Sequence, residues 1–172
     1  MFSQEVLTLA TSLGELLEQR AEVVTTAESC TGGLLAAAIT SVGGASKWFH
    51  GAYITYDDAI KQSLLGVRQE TLREHGAVSE LVVREMAEGA LLGVSAQWSL
   101  AISGIAGPTG GSPEKPVGTV WFGLGRWLGP NMVNTTAVLH HFEGDRHGIR
   151  EQSVLFALKW LVQTIETEPM LA

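Results

Sequence analysis

Residues 22–39 read Glu22-Val23-Val24-Thr25-Thr26-Ala27-Glu28-Ser29-Cys30-Thr31-Gly32-Gly33-Leu34-Leu35-Ala36-Ala37-Ala38-Ile39, and this one run decides the fold. Its β-branched opening predicts a first strand over about residues 22–28. Ala and Leu after Gly33 are good helix formers and predict a helix to about Thr40. Between them Gly32 and Gly33 let the chain turn tightly. A strand feeding a helix through a short glycine corner is the basic unit of an α/β protein.

The pattern continues outward. Val6, Leu7, Ala10, Leu13, Leu16 and Leu17 recur at helical spacing and predict an amphipathic first helix. Residues 50–56 read as a second strand, and Asp57-Asp58 suits the first turn of a helix that carries Ile60, Leu64 and Leu65 and stops at Gly66. A short helix is expected over 68–75. Ser79 then caps a longer one with Leu81, Val82, Met86, Ala90 and Leu91 on its buried side. Strands follow at 98–103, 118–124 and about 134–142, and a last helix at about 145–166. That helix is apolar around much of its circumference, which suits either packing between sheet and helix or a subunit interface. The expected fold is a three-layer α/β/α sandwich with a mixed, mostly parallel sheet, in one domain over residues 1–172.

Bulk properties narrow the function. With 172 residues, 45% apolar and 17% charged, the chain can bury a core without disulfides or metal. A net charge of −7 argues against a nucleic-acid groove but not against a small anionic ligand held by backbone N–H groups. Cys30 is the single cysteine, which fits a reducing compartment. The N-terminus lacks the basic and apolar regions of a signal peptide, and no apolar run approaches the roughly 20 residues of a membrane span. These features predict a soluble cytoplasmic protein.

The corner has two readings. Ser29 or Cys30 at a strand's C-terminal edge stands where open α/β sheets place ligands, and N–H groups of a first helical turn suit an oxyanion. Alternatively, Ser29 caps the helix and Cys30 is a small buried residue. The stretch is neither a Gly-x-Ser-x-Gly elbow nor a phosphate-binding Gly-Lys-Ser/Thr loop. None of His50, His75, His140, His141 and His147 shows metal-ligand spacing or an evident partnership with Ser29. Tyr56 and Lys61 make a better set. If strands one and two are neighbours, both residues approach Ser29, and a desolvated lysine can fall from about 10.4 toward 7–8 and serve as a general base. Tyr56 would relay a proton or orient the amine; otherwise Lys61 is a solvated helix lysine and Tyr56 a half-buried strand end. The glycines of the loop Gly104-Ile105-Ala106-Gly107-Pro108-Thr109-Gly110-Gly111 free backbone N–H groups for phosphate or ribose oxygens, or the stretch is a plain ω-type loop. Asp145 suits a helix cap, leaving Arg146 in the first turn and Arg150 on the same face.

Six stretches in order carry a resemblance: 27–33, 51–61, 76–80, 103–111, 115–123 and 144–146. Together they resemble the CinA C-terminal domain family over about residues 5–165. Characterised members of that family are nicotinamide-nucleotide amidases. The resemblance implies hydrolysis of the carboxamide of nicotinamide mononucleotide in pyridine-nucleotide recycling, without cofactor or metal. It implies a catalytic set on Ser29, Tyr56 and Lys61. Oxyanion and substrate contacts are expected from Cys30, Thr31, Gly32 and Gly33 and from Gly104, Ile105, Ala106, Gly107, Thr109 and Gly110, with Arg146 at the phosphate. Many relatives carry a further N-terminal domain that resembles molybdopterin-binding proteins, so the chain looks like the stand-alone amidase. No nucleic-acid or membrane partner is implied, and a homodimer is expected. The competing expectation is a non-catalytic nucleotide-binding module that regulates a partner.

Overall fold

The computed structural model describes residues 1–170, so the last two residues of the expected domain lie outside it. In chain order the elements are α1 (Gln4–Arg20), β1 (Val24–Glu28), α2 (Leu34–Thr40), β2 (Phe49–Ile54), α3 (Asp58–Leu65), α4 (Gln69–His75), α5 (Glu80–Gly93), β3 (Trp98–Gly104), β4 (Thr119–Gly129), β5 (Met132–His141) and α6 (Arg146–Thr167). Four helix starts are capped by side chains: Ser3, Asp57, Ser79 and Asp145 accept from Val6, Ala59, Val82 and Gly148 N–H. Each such cap is worth about 1 kcal/mol. Ser29 does not cap α2, whose N-cap position is Gly33.

The strands form one sheet in the order β2-β1-β3-β4-β5. β1 pairs in parallel with β2 and β3, while β3/β4 and β4/β5 are antiparallel. The sheet is thus mixed, and β4 alone runs against the other strands. Several boundaries differ from expectation; β2 ends at Ile54, so Tyr56 lies in the loop after it and does not end the strand. β1 begins only at Val24, because Glu22 is drawn to the Trp98 indole and Arg126 guanidinium and Val23 N–H donates to Gln97. β4 continues past Leu124 because Arg126, buried and paired with Glu22, lies 4.1 Å over the Trp98 ring. The Arg126 charge is thus paired inside the molecule.

Helices cover both faces. On one, α1, α2 and α6 bury Leu13, Leu35 and Leu158 against Leu100, Ile102 and Phe122. The apolar circumference of α6 is used within the chain, against the sheet, α1 and α2. On the other face α5 buries Val82, Val83, Met86, Ala87 and Ala90, with Leu65 and Leu72 beside it. Leu81 is turned to solvent, and Val83 takes the buried place expected for it.

The close fit of α5 follows from a row of small residues. Ala27, Ala101, Gly123 and Ala137 stand side by side across four strands. A methyl group at Gly123 would meet the Val83 carbonyl oxygen at 2.3 Å, so the helix backbone rests directly on the sheet there. Gly123→Ala should therefore destabilise the protein by about 1–3 kcal/mol, as overpacking does in tight cores. Urea denaturation checks this, and an unchanged midpoint would contradict the close contact.

Candidate active site

The parallel strands β1, β2 and β3 end at one edge of the sheet, where open α/β folds place their sites. Loops leaving them, with the start of α6, enclose a cavity of about 330 Å³. The corner after β1 contributes Ser29 and Cys30, and the α3 segment contributes Tyr56, Asp58 and Lys61. The loop after β3 contributes Gly104, Ile105, Ala106, Gly107, Thr109 and Gly110, and α6 contributes Arg146. Thr31, Gly32 and Gly33 turn away behind the corner, and none of the five histidines lines the cavity.

Lys61 is the most unusual residue of the site. It lies on α3, whose outer face is exposed, yet its side chain is only 1% accessible. The amine reaches Ser29 Oγ at 3.3 Å and the Tyr56 carbonyl at 3.2 Å, and Asp58 Oδ1 lies 3.4 Å away. Burying an amine costs several kcal/mol unless its hydrogens are met. The carbonyl and the carboxylate can only accept. The Lys61 amine therefore donates to both, and Ser29 Oγ is its third polar neighbour.

Tyr56 meets the lysine through its carbonyl, not through its phenol. The ring is 61% exposed, and its hydroxyl accepts from Arg146 Nη2 at 3.0 Å. Arg146 Nη1 donates to the Gly107 carbonyl at 2.8 Å. Arg146 therefore ties the tyrosine to the glycine-rich loop across the cavity mouth. With two of its five donors used, it has donors left for a ligand. Arg150, one turn on, is half-buried and donates to the Thr31 carbonyl at 2.9 Å, so it braces the corner from behind.

Sequence reasoning passed over Glu28. Its carboxylate is fully buried and accepts from Gly33 N–H at 3.0 Å, Leu35 N–H at 3.1 Å and Ala36 N–H at 2.8 Å. It thereby fills the N-terminus of α2, and the Gly33 N–H expected to face an oxyanion is already engaged. Gly32 N–H is also taken, by the Ser29 carbonyl. The N–H groups of Cys30 and Thr31 donate to no oxygen among the described residues, and of the two only Cys30 lines the cavity. Gly32 and Gly33 have φ of 58° and 95°, left-handed values that only glycine adopts without strain. The readable signal for Glu28 was a carboxylate at the end of a strand, just before a helix start with no side-chain cap.

Cys30 is buried beside Ser29. Desolvation pushes its thiol up to about 11 against the pull of its own backbone N–H, with a further push from Glu28 and an opposing pull from Arg150 and Arg146. Near neutral pH it is a thiol and not the nucleophilic thiolate.

The chain matches the CinA C-terminal domain over residues 6–165. It is 47% identical over 163 residues to the nicotinamide-nucleotide amidohydrolase PncC of Escherichia coli strain K12, covering 95% of this chain and 96% of that one. It is 45% identical over 144 residues to a CinA-like protein of Thermotoga neapolitana, covering 84% of this chain and 34% of that longer protein. The crystal structure of the competence/damage inducible protein CihA from Agrobacterium tumefaciens superposes with a TM-score of 0.89 at 36% identity, covering 97% of this chain and 99% of that one. The fold, its site-bearing edge and these likenesses agree, and the chain belongs to the CinA C-terminal domain family.

Proposed function

We propose that this protein is a nicotinamide-nucleotide amidase that converts nicotinamide mononucleotide and water to nicotinic acid mononucleotide and ammonia. The carrying observation is the buried Lys61 amine 3.3 Å from Ser29 Oγ. A solvated helix lysine has no reason to accept burial, whereas a base for a serine nucleophile does. The name of the Escherichia coli relative supports this substrate.

In the proposed reaction Lys61 takes the proton of Ser29 as Oγ attacks the amide carbon. The oxyanion is held by the Cys30 N–H group, with the glycine-rich loop from Ala106 onward opposite. The C–N bond breaks as Lys61 returns its proton to nitrogen, and ammonia leaves. Water, deprotonated by Lys61, then attacks the acyl-enzyme and releases the acid and Ser29. Tyr56 orients the amine through its carbonyl, and its phenol positions Arg146 for the substrate phosphate. Loop residues Gly107, Thr109 and Gly110 add backbone donors to that phosphate. The raised thiol of Cys30 leaves the attack to Ser29. The reaction belongs to pyridine-nucleotide recycling, and no helix among the described residues is long and apolar enough to cross a membrane.

Purified protein should release ammonia from nicotinamide mononucleotide without added metal. Ser29→Ala and Lys61→Ala proteins with unchanged circular dichroism should lose at least about 1000-fold in kcat, as when a nucleophile or its base is removed. Full activity in Ser29→Ala would sink the proposal, and binding without any turnover in the unaltered protein would favour a regulatory module instead. Cys30→Ala should keep activity within a few-fold. In the folded protein, iodoacetamide should modify Cys30 appreciably only as the pH approaches the raised value of about 11, while the unfolded chain reacts around its ordinary 9.0. Rapid alkylation of the folded protein near pH 7, with loss of activity, would reverse the choice of nucleophile.

A further inference from the structure

Ser29, Lys61 and Arg146 meet the amide and phosphate ends of the proposed substrate, but one charged group of the cavity has no part in that scheme. Asp58 is the only carboxylate among its described lining residues. The helix cap of α3 is already made by Asp57, so Asp58 is not needed for it. Its ion pair with Lys61 is 55% exposed on the acid side, an arrangement that adds little to stability. What Asp58 does supply is negative charge beside the reaction centre. The separations in series, 3.3 Å from Ser29 Oγ to Lys61 Nζ and 3.4 Å from Nζ to Asp58 Oδ1, keep the carboxylate within about 7 Å of the attacking oxygen.

In a nicotinamide nucleotide the ring nitrogen bears the ribose and a full positive charge. That nitrogen is one ring atom away from the carbon carrying the amide. Binding the amide at Ser29 therefore brings the ring's charge into the neighbourhood of Asp58, in a cavity where the lining Lys and Arg side chains, Lys61 and Arg146, are both basic. Without a carboxylate the cavity would offer the ring no negative charge, and the Arg146 guanidinium would repel it.

We infer that Asp58 is a specificity-determining residue, selecting amides on an N-substituted, positively charged pyridinium ring over amides on an uncharged ring. The inference rests on the amidase proposal above. It is tested by equilibrium binding to the Ser29→Ala protein, which holds ligand without turnover. The probes are nicotinamide mononucleotide and its reduced, dihydropyridine form, which share amide, ribose and phosphate and differ in ring charge. Adding Asp58→Asn should weaken the oxidised nucleotide about fivefold to tenfold and leave the reduced one within twofold, at low salt where a partly exposed charge acts most strongly. Rising salt should shrink the preference in the Ser29→Ala protein and not in the double variant. Equal changes for both nucleotides, or no change for either, would overturn the inference and leave Asp58 as a partner of Lys61 alone. Binding of neither nucleotide to the Ser29→Ala protein would overturn the inference together with the proposal beneath it.

Discussion

The carboxylate of Glu28 holds the site in place. A fully buried carboxylate is costly unless strong donors surround it. Here three backbone N–H groups at the start of α2 do so, and charge-assisted bonds of this kind are roughly twice as strong as neutral ones. Glu28 ends β1, so the contact joins a strand end to the helix that follows and leaves a fixed five-residue corner between them. Ser29 stands at the start of that corner, anchored by its own N–H on the Ile102 carbonyl of β3. The nucleophile is thus positioned by the sheet and the helix together.

This arrangement also decides where catalytic electrostatics can come from. The positive end of α2 is spent on Glu28 and does not face the cavity. Stabilising donors have to be the N–H groups left over in the corner and the glycine-rich loop after β3. Both belong to segments braced by arginines of α6: Arg150 holds the Thr31 carbonyl and Arg146 the Gly107 carbonyl. One helix therefore steadies both walls of the cavity, while α3 supplies the buried amine from a third side. The small-residue row beneath α5 matters to the same end, because α5 packs against α3 and fixes where Lys61 enters.

Much of this was legible before any coordinates. Periodicity and glycine punctuation located each helix and strand, and Asp145 and Ser79 announced their helices as caps. The corner, Tyr56 and Lys61 could be brought to one edge on the single assumption that the first two strands are neighbours, and they are. What stayed hidden depended on packing. Glu28 looked like an ordinary residue at the end of a strand, since nothing local says that its side chain folds back onto the next helix. Arg126 lay beyond the strand expected at 118–124, because nothing local shows that Glu22 and Trp98 meet it from elsewhere in the chain. Asp58 was absorbed into a helix-start pattern that Asp57 alone satisfies. The orientation of Tyr56, carbonyl inward and phenol outward, is a property of backbone geometry that no spacing reveals.

The central claim is acyl transfer through Ser29 with Lys61 as its base. The most direct measurement is product partitioning when hydroxylamine competes with water during turnover of nicotinamide mononucleotide. An acyl-enzyme predicts the hydroxamic acid of the nucleotide, rising with hydroxylamine at the expense of nicotinic acid mononucleotide, and neither product from the Ser29→Ala protein. Nicotinic acid mononucleotide as the sole product at every hydroxylamine concentration would mean direct attack by water, and would contradict the account.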